Sequence, residues 1–123
     1  MHMVPRKFDL EDRLIQYSSR VIKLIESMPT AKAASHIAGQ MLRSGIAPAL
    51  LYGEAQGAES RDDFIHKMKI GLKELKETRV CLKLASKNGM IKGDDTIVRE
   101  NEELIAIFAR SIETAKRNNG TKF

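Results

Sequence analysis

The chain has 123 residues and a formal net charge of +5, from 21 Lys and Arg against 16 Asp and Glu. That length has room for one domain, and 42% hydrophobic with 30% charged residues fits a folded soluble protein rather than a disordered one. Only 5% of residues are aromatic and none is Trp, so the core must be aliphatic. The single cysteine, Cys81, forms no intrachain disulfide and suits a reducing, cytoplasmic compartment. No apolar run approaches the roughly 20 residues that cross a bilayer, and the first residues lack the apolar stretch of a signal peptide. A secreted disulfide scaffold, a membrane protein and a large multidomain enzyme are thereby set aside.

Met1 to Lys7 is a short basic lead. Met1-His2 ahead of Met3 has the look of a vector remnant, which leaves His2 uninformative. Helix one is expected over about 9–27. Asp9 is its N-cap, and Glu11 and Asp12 place negative charge on the first turn, where the helix dipole favours it. Leu10, Leu14, Tyr17, Val21, Leu24 and Met28 recur at steps of four and three, as a packed seam requires, with Ile15, Ile22 and Ile25 in a row beside it. Pro29 ends the pattern.

Helix two, about 31–57, starts after Thr30 as N-cap and is rich in alanine and glycine, with Gly39, Gly45 and Gly53 inside it. Small side chains let another helix come close, at about 1 kcal/mol per interior Gly relative to Ala. Pro48 removes a backbone donor and predicts a kink near Ser44 or Gly45, the alternative being two helices split at Gly45. Helix three, about 61–87, opens on Ser60 with Asp63 as a capping-box variant and stops at Asn88-Gly89. Its core face holds Phe64, Ile65, Met68, Leu72, Leu75 and Leu82. Helix four, about 95–117, starts after Asp94 or Asp95 and carries Ile97, Leu104, Ile105, Phe108 and Ile112. Four amphipathic helices with short links predict a single all-α domain over 1–123, an antiparallel up-down-up-down four-helix bundle.

Helix three also carries the most specific charge pattern. Lys69, Lys73, Lys76, Lys83 and Lys87 fall within roughly 80° of one another at 100° per residue. Residues 58–89 hold eight basic against five acidic residues, three of the five net charges. Such a stripe is either a track for polyanion phosphates or an ordinary solvated face. Few arginines and no exposed aromatic accompany it, which argues against base stacking. A second stripe, Ile70, Glu74, Glu77, Cys81 and Leu84, lies off the core face. It marks either a subunit seam or the edge of a wide intrachain face. In a seam, Glu74 and Glu77 require basic partners, for instance from a neighbouring subunit.

Catalytic and metal chemistry find little support. A carboxylate di-metal bundle needs Glu-x-x-His on two helices plus a Glu from each of two others. Here only Asp63-x-x-His66 comes near, at a helix start where Asp is better read as a cap, and His36 has no carboxylate three residues before it. Both histidines read as polar or partly buried bundle residues. Cys81 has no base nearby in sequence and reads as a seam or core thiol. The helix-two glycines lack the Gly-Lys-Ser/Thr ending of a phosphate loop. No cofactor, metal, membrane or small-molecule substrate is expected.

The run Leu42-Arg43-Ser44-Gly45-Ile46-Ala47-Pro48-Ala49-Leu50-Leu51-Tyr52-Gly53-Glu54-Ala55-Gln56, followed by Ser60-Arg61-Asp62-Asp63-Phe64-Ile65-His66-Lys67 and Leu72 to Arg79, resembles the bacterial four helix bundle protein family. That family includes the proteins encoded in intervening sequences of 23S ribosomal RNA genes. The resemblance covers about Phe8 to Lys116. It implies an antiparallel bundle that assembles into a ring, most often a homopentamer, with no catalytic residues and nucleic-acid binding as the standing suggestion. A more distant similarity is to the accessory protein of diversity-generating retroelements, a basic ring that works with RNA. Two departures stand out. Leu51 replaces a usual Asn, and Val80-Cys81 replaces common aromatics. Glu54 and Arg79 match family motif positions and are expected to form an ion pair between helices two and three. The resulting expectation is a non-enzymatic, cytoplasmic ring that binds RNA or DNA through Lys69, Lys73, Lys76, Lys83 and Lys87. The alternative is a protein-interaction adaptor or structural scaffold with no nucleic-acid role.

Overall fold

The computed structural model describes residues 9–92 and 95–118. Four helices follow in chain order, α1 (Leu10–Glu26), α2 (Lys32–Gln56), α3 (Arg61–Lys87) and α4 (Asp95–Arg117), with no strand among the described residues. Each helix packs on its neighbours in sequence, and α4 returns to α1 to close an antiparallel bundle, with α1 and α4 sharing the slimmest contact.

Helix ends follow local chemistry. The Asp9 side chain accepts from the Asp12 amide, and Ser60 accepts from the Asp63 amide, both at 3.0 Å. At the end of α3, Gly89 adopts φ +70°. The Met90 amide donates to the Ala85 carbonyl and the Gly89 amide to the Ser86 carbonyl, a left-handed closure that suits glycine. The α2 start departs from expectation. Thr30 does not cap it. The N-cap is Ala31, which has no side-chain bond, while Ser35 Oγ donates back to the Thr30 carbonyl at 3.1 Å. The reading of α2 as two helices split at Gly45 is also wrong, since α2 runs unbroken through Pro48. α4 begins at Asp95, so of the two expected caps Asp94 is left, and it lies outside the described residues.

The core is aliphatic, as the composition requires. Leu10, Leu14, Tyr17 and Val21 of α1 meet Met41 and Ala55 of α2, Met68, Leu75, Leu82 and Ala85 of α3, and Ile97, Leu104, Phe108 and Ile112 of α4. Leu24, Ile25, Phe64, Ile65, Leu72 and Ile105 pack at its edges. Two glycines permit close approach. A Cβ built on Gly45 would lie 2.7 Å from Val21 Cγ1, and one on Gly71 would lie 2.6 Å from Phe108 Cε2. Gly39 and Gly53 behave otherwise. Nothing lies within 4 Å of their added Cβ, so close packing within the chain does not explain them.

One polar network crosses this apolar interior. Asn101 Nδ2 donates to the Tyr17 hydroxyl at 2.8 Å and to the Leu75 carbonyl at 2.9 Å. The Thr78 hydroxyl donates to Ser44 Oγ at 2.7 Å, with the Glu74 carbonyl 3.1 Å away as its alternative acceptor, and it also bonds the Tyr17 hydroxyl. Ser18 Oγ donates to the Gly45 carbonyl at 3.0 Å. Ser44, Thr78 and Asn101 are fully buried, and every helix contributes at least one group. Asn101 Oδ1 alone among the described buried side-chain polar atoms has no partner.

Asn101→Ala removes two buried hydrogen bonds, to the Tyr17 hydroxyl and the Leu75 carbonyl, and leaves a void in the core; it should lower the unfolding free energy by about 2–4 kcal/mol in urea, more than Tyr17→Phe at about 1 kcal/mol. Gly71→Ala should cost about 1–3 kcal/mol by pressing on Phe108. Gly53→Ala, in open space, should instead stabilise by about 0.5–1 kcal/mol in the same assay. Burial pushes the Tyr17 hydroxyl up to about 12. The unfolded chain therefore gives up that proton first, and stability should fall as pH rises from about 10 towards 12. Spectrophotometric titration near 295 nm should show Tyr17 ionising well above the ordinary tyrosine value, and ionisation near 10 in the folded protein would contradict its burial.

Candidate nucleic-acid interface

Helical periodicity turns the buried residues of α3 one way and its lysines the other. Met68, Gly71, Leu75, Thr78 and Leu82 face the interior. Lys69, Lys73, Lys76, Lys83 and Lys87 are all exposed on the opposite side. They form a ridge about 27 Å long at 1.5 Å per residue. None has an ion-pair partner among the described residues. Val80, 54% exposed, fills the gap between Lys76 and Lys83. No Phe or Tyr ring among the described residues is exposed. Tyr17 and Phe108 are buried, and Tyr52 and Phe64 are half-buried.

The second α3 stripe turns towards α2. Arg43 Nη1 lies 2.9 Å from Glu74 Oε1, and Arg43 Nη2 also bonds Glu77. Both carboxylates thus have a cation from their own chain and do not require one from a neighbouring subunit. In return the carboxylates, Glu77 first, hold the Arg43 charge beyond its usual range. Cys81 is buried, and that burial raises its thiol pKa. Ile70 is half-buried, and Leu84 is 46% exposed.

The expected Glu54–Arg79 ion pair is not formed. Glu54 Oε1 instead takes Lys67 Nζ at 2.9 Å. The reason is register. α2 and α3 run antiparallel from the turn at 57–60, so Glu54 sits level with the start of α3. Arg79 lies twelve residues beyond Lys67, about 18 Å further along the helix. Leu51 is half-buried on α2. His36 and His66 are exposed, not partly buried. Among the described residues no three His, Cys, Asp or Glu side chains converge to hold a metal, and no helix is long and apolar enough to cross a membrane.

Two features were not singled out in the sequence. The first is an outward, uncharged stripe on α2, where Gly39, Leu42, Ile46, Leu50 and Gly53 recur at steps of three and four. Leu42 is 42% and Leu50 64% exposed. The low charge of α2 hid it, because without charged residues the pattern does not show which side faces water. The second is the α1–α4 tie. Arg13 Nε lies 2.7 Å from Glu100 Oε2 and Arg13 Nη2 2.7 Å from Glu103 Oε1, while Arg20 Nη2 donates to Thr96 Oγ1 at 2.6 Å. The hydrogen bond to Glu100 holds the Arg13 charge far beyond its usual range. The 4-3 spacing of Thr96, Glu100 and Glu103 was the available signal.

Comparison with known proteins agrees with this architecture. A solved structure from Bacteroides thetaiotaomicron, described as a protein of unknown function from the S23 ribosomal protein family, superposes with a TM-score of 0.79 at 27% identity, over 85% of this chain and 98% of that one. No curated protein matches the chain. The family described as 23S rRNA-intervening sequence protein matches residues 6–112. On that match, which spans most of the sequence, α1 to α3 and most of α4, the chain belongs to the 23S rRNA-intervening sequence protein family.

Proposed function

We propose that this protein is a non-enzymatic, cytoplasmic subunit of a homo-oligomeric ring, a homopentamer by the family resemblance. In this reading it binds RNA or DNA through the phosphate backbone without sequence preference. The observation that carries the proposal is the lysine ridge of α3, five exposed ammonium groups with no carboxylate partner among the described residues. Unpaired lysines in a line suit a row of phosphates, whose neutralisation releases counterions. The lack of an exposed Phe or Tyr ring among the described residues supports backbone contact over base stacking. Self-association is supported by the exposed apolar stripe of α2, since contiguous exposed apolar surface marks interaction sites. A ring would repeat the ridge once per subunit and so extend the track.

That same α2 stripe favours the second reading, an adaptor or scaffold whose partner is another protein. The two separate on salt. Fluorescence polarisation with a labelled mixed-sequence duplex should give a log K that falls linearly with log salt, at about 0.9 per phosphate neutralised. The variant Lys73→Glu/Lys76→Glu/Lys83→Glu, with its helix content unchanged by circular dichroism, should lose most of the binding at low salt. Retention equal to the unmodified protein would leave the ridge as solvated surface and favour the adaptor.

A further inference from the structure

α1 is the shortest helix, 17 residues against 23 to 27 for the others. Its register on α4 is fixed by Arg20 with Thr96 and by Arg13 with Glu100 and Glu103. Leu10 therefore lies about one turn past Glu103 at most, and α4 runs on for roughly 15 Å beyond the start of α1. An open cleft of about 570 Å³ stands where a longer first helix would lie, floored by Phe64, Ile107 and Ala115 and edged by Arg110 and Thr114.

A single seam runs the length of α4, because Thr96, Glu100, Glu103, Ile107, Arg110, Thr114 and Arg117 recur at steps of four and three. α1 is tied to the first three through Arg13 and Arg20. Beyond it the sign of the seam changes. Glu100 and Glu103 receive Arg13, whereas Arg110 and Arg117 are exposed and have no ion-pair partner among the described residues. An occupant of the cleft must therefore bring apolar surface and carboxylates. Arg6 and Lys7, which precede α1 in sequence, carry the wrong sign. The outward side of the first turns of α1 carries the right one. Glu11 and Asp12 flank Ile15, which is 49% exposed, and with Asp9 they line one shallow depression. Spacings of three and four put these two carboxylates and the isoleucine on one face. Asp12 also accepts from Gln16 at 3.1 Å, which steadies it there.

We infer that this cleft takes a second copy of the chain. The outward face of the α1 start, with Ile15 between Glu11 and Asp12, seats against Ile107 and the α3–α4 floor of the neighbour, and its carboxylates meet Arg110 and Arg117. The two surfaces differ, so the contact is heterologous and closes into a ring when the rotation allows. Neither surface includes the lysine ridge. The inference rests on the ring reading and specifies how neighbours meet.

Light scattering on the full chain tests it through charge reversal. Arg110→Glu/Arg117→Glu and Glu11→Lys/Asp12→Lys should each weaken assembly at least about tenfold with unchanged helix content, because each sets like charges face to face. The fourfold variant, which restores opposite signs, should reassemble. Ile15→Glu, which leaves the Asp9 cap and the first-turn charges in place, should dissociate the protein as well. A monomer of 13.8 kDa for the unmodified chain would overturn both this contact and the ring. An oligomer that survives the reversals would overturn the contact and keep the ring, as it would if the chain's own leading residues filled the cleft. A fourfold variant that stays dissociated would overturn the pairing of these two surfaces.

Discussion

The architecture depends on one buried amide. Asn101 projects from α4 into an interior made almost wholly of Leu, Ile, Met, Ala and Val, and there it binds a hydroxyl from α1 and a carbonyl from α3. A donor so placed favours the register that pairs its amide hydrogens, because leaving them unpaired costs about as much as several buried methyl groups contribute. Thr78 extends the same constraint to Ser44 on α2. Aliphatic side chains alone accept several helix registers, and this core has few aromatic rings to break the tie. The hydrogen-bond network supplies the selection that shape leaves open.

Charge on the outside is divided between two uses. Carboxylates on the flanks of α2, α3 and α4 are taken up by Arg13, Arg43 and Lys67, each of which joins two helices. These pairs lie at the solvent boundary, partly exposed, and contribute modest stability individually, though they favour one pairing of helix flanks over another. The longest row of positive charge that remains lies on the outer side of α3, and Arg110 and Arg117 add a smaller one on α4. The modest net charge of the whole chain is therefore a poor guide to its surface.

The sequence exposed features whose physics is local. Asp9, Ser60 and Asn88-Gly89 act within one turn of themselves, so the limits of α1 and α3 could be read directly. The repeats Leu10-Leu14-Tyr17-Val21 and Leu104-Phe108-Ile112 likewise report a buried face without knowledge of its partner. The lysine ridge followed from spacing within one helix. Features set by helix register were not legible. Glu54 pairs with Lys67 and not Arg79 because of where the α2–α3 turn begins, and nothing within either helix states that. Asn101 has the sequence context of a surface residue, between Glu100 and Glu102. Thr30 resembles a cap, but Pro29 and the extended Ala31 shift the helix start past it. On α2, alanine and glycine line both sides, so inward Gly45 and outward Gly53 look alike until a neighbour is placed.

Loop closure gives the buried network an order of assembly. α2 and α3 are joined by only four residues, 57–60, and their contacts lie close in the chain, so the entropy of bringing them together is small. Tyr17 and Asn101 are separated by 84 positions, and their bond requires both ends of the chain to have arrived. The expectation is a folding sequence in which the α2–α3 hairpin offers Thr78 and the Leu75 carbonyl first, as half of a socket. The amide of α4 and the phenol of α1 complete it only when the outer helices dock in register. A chain with either outer helix misplaced would bury polar groups without partners, so the network rejects incomplete bundles as well as stabilising the finished one.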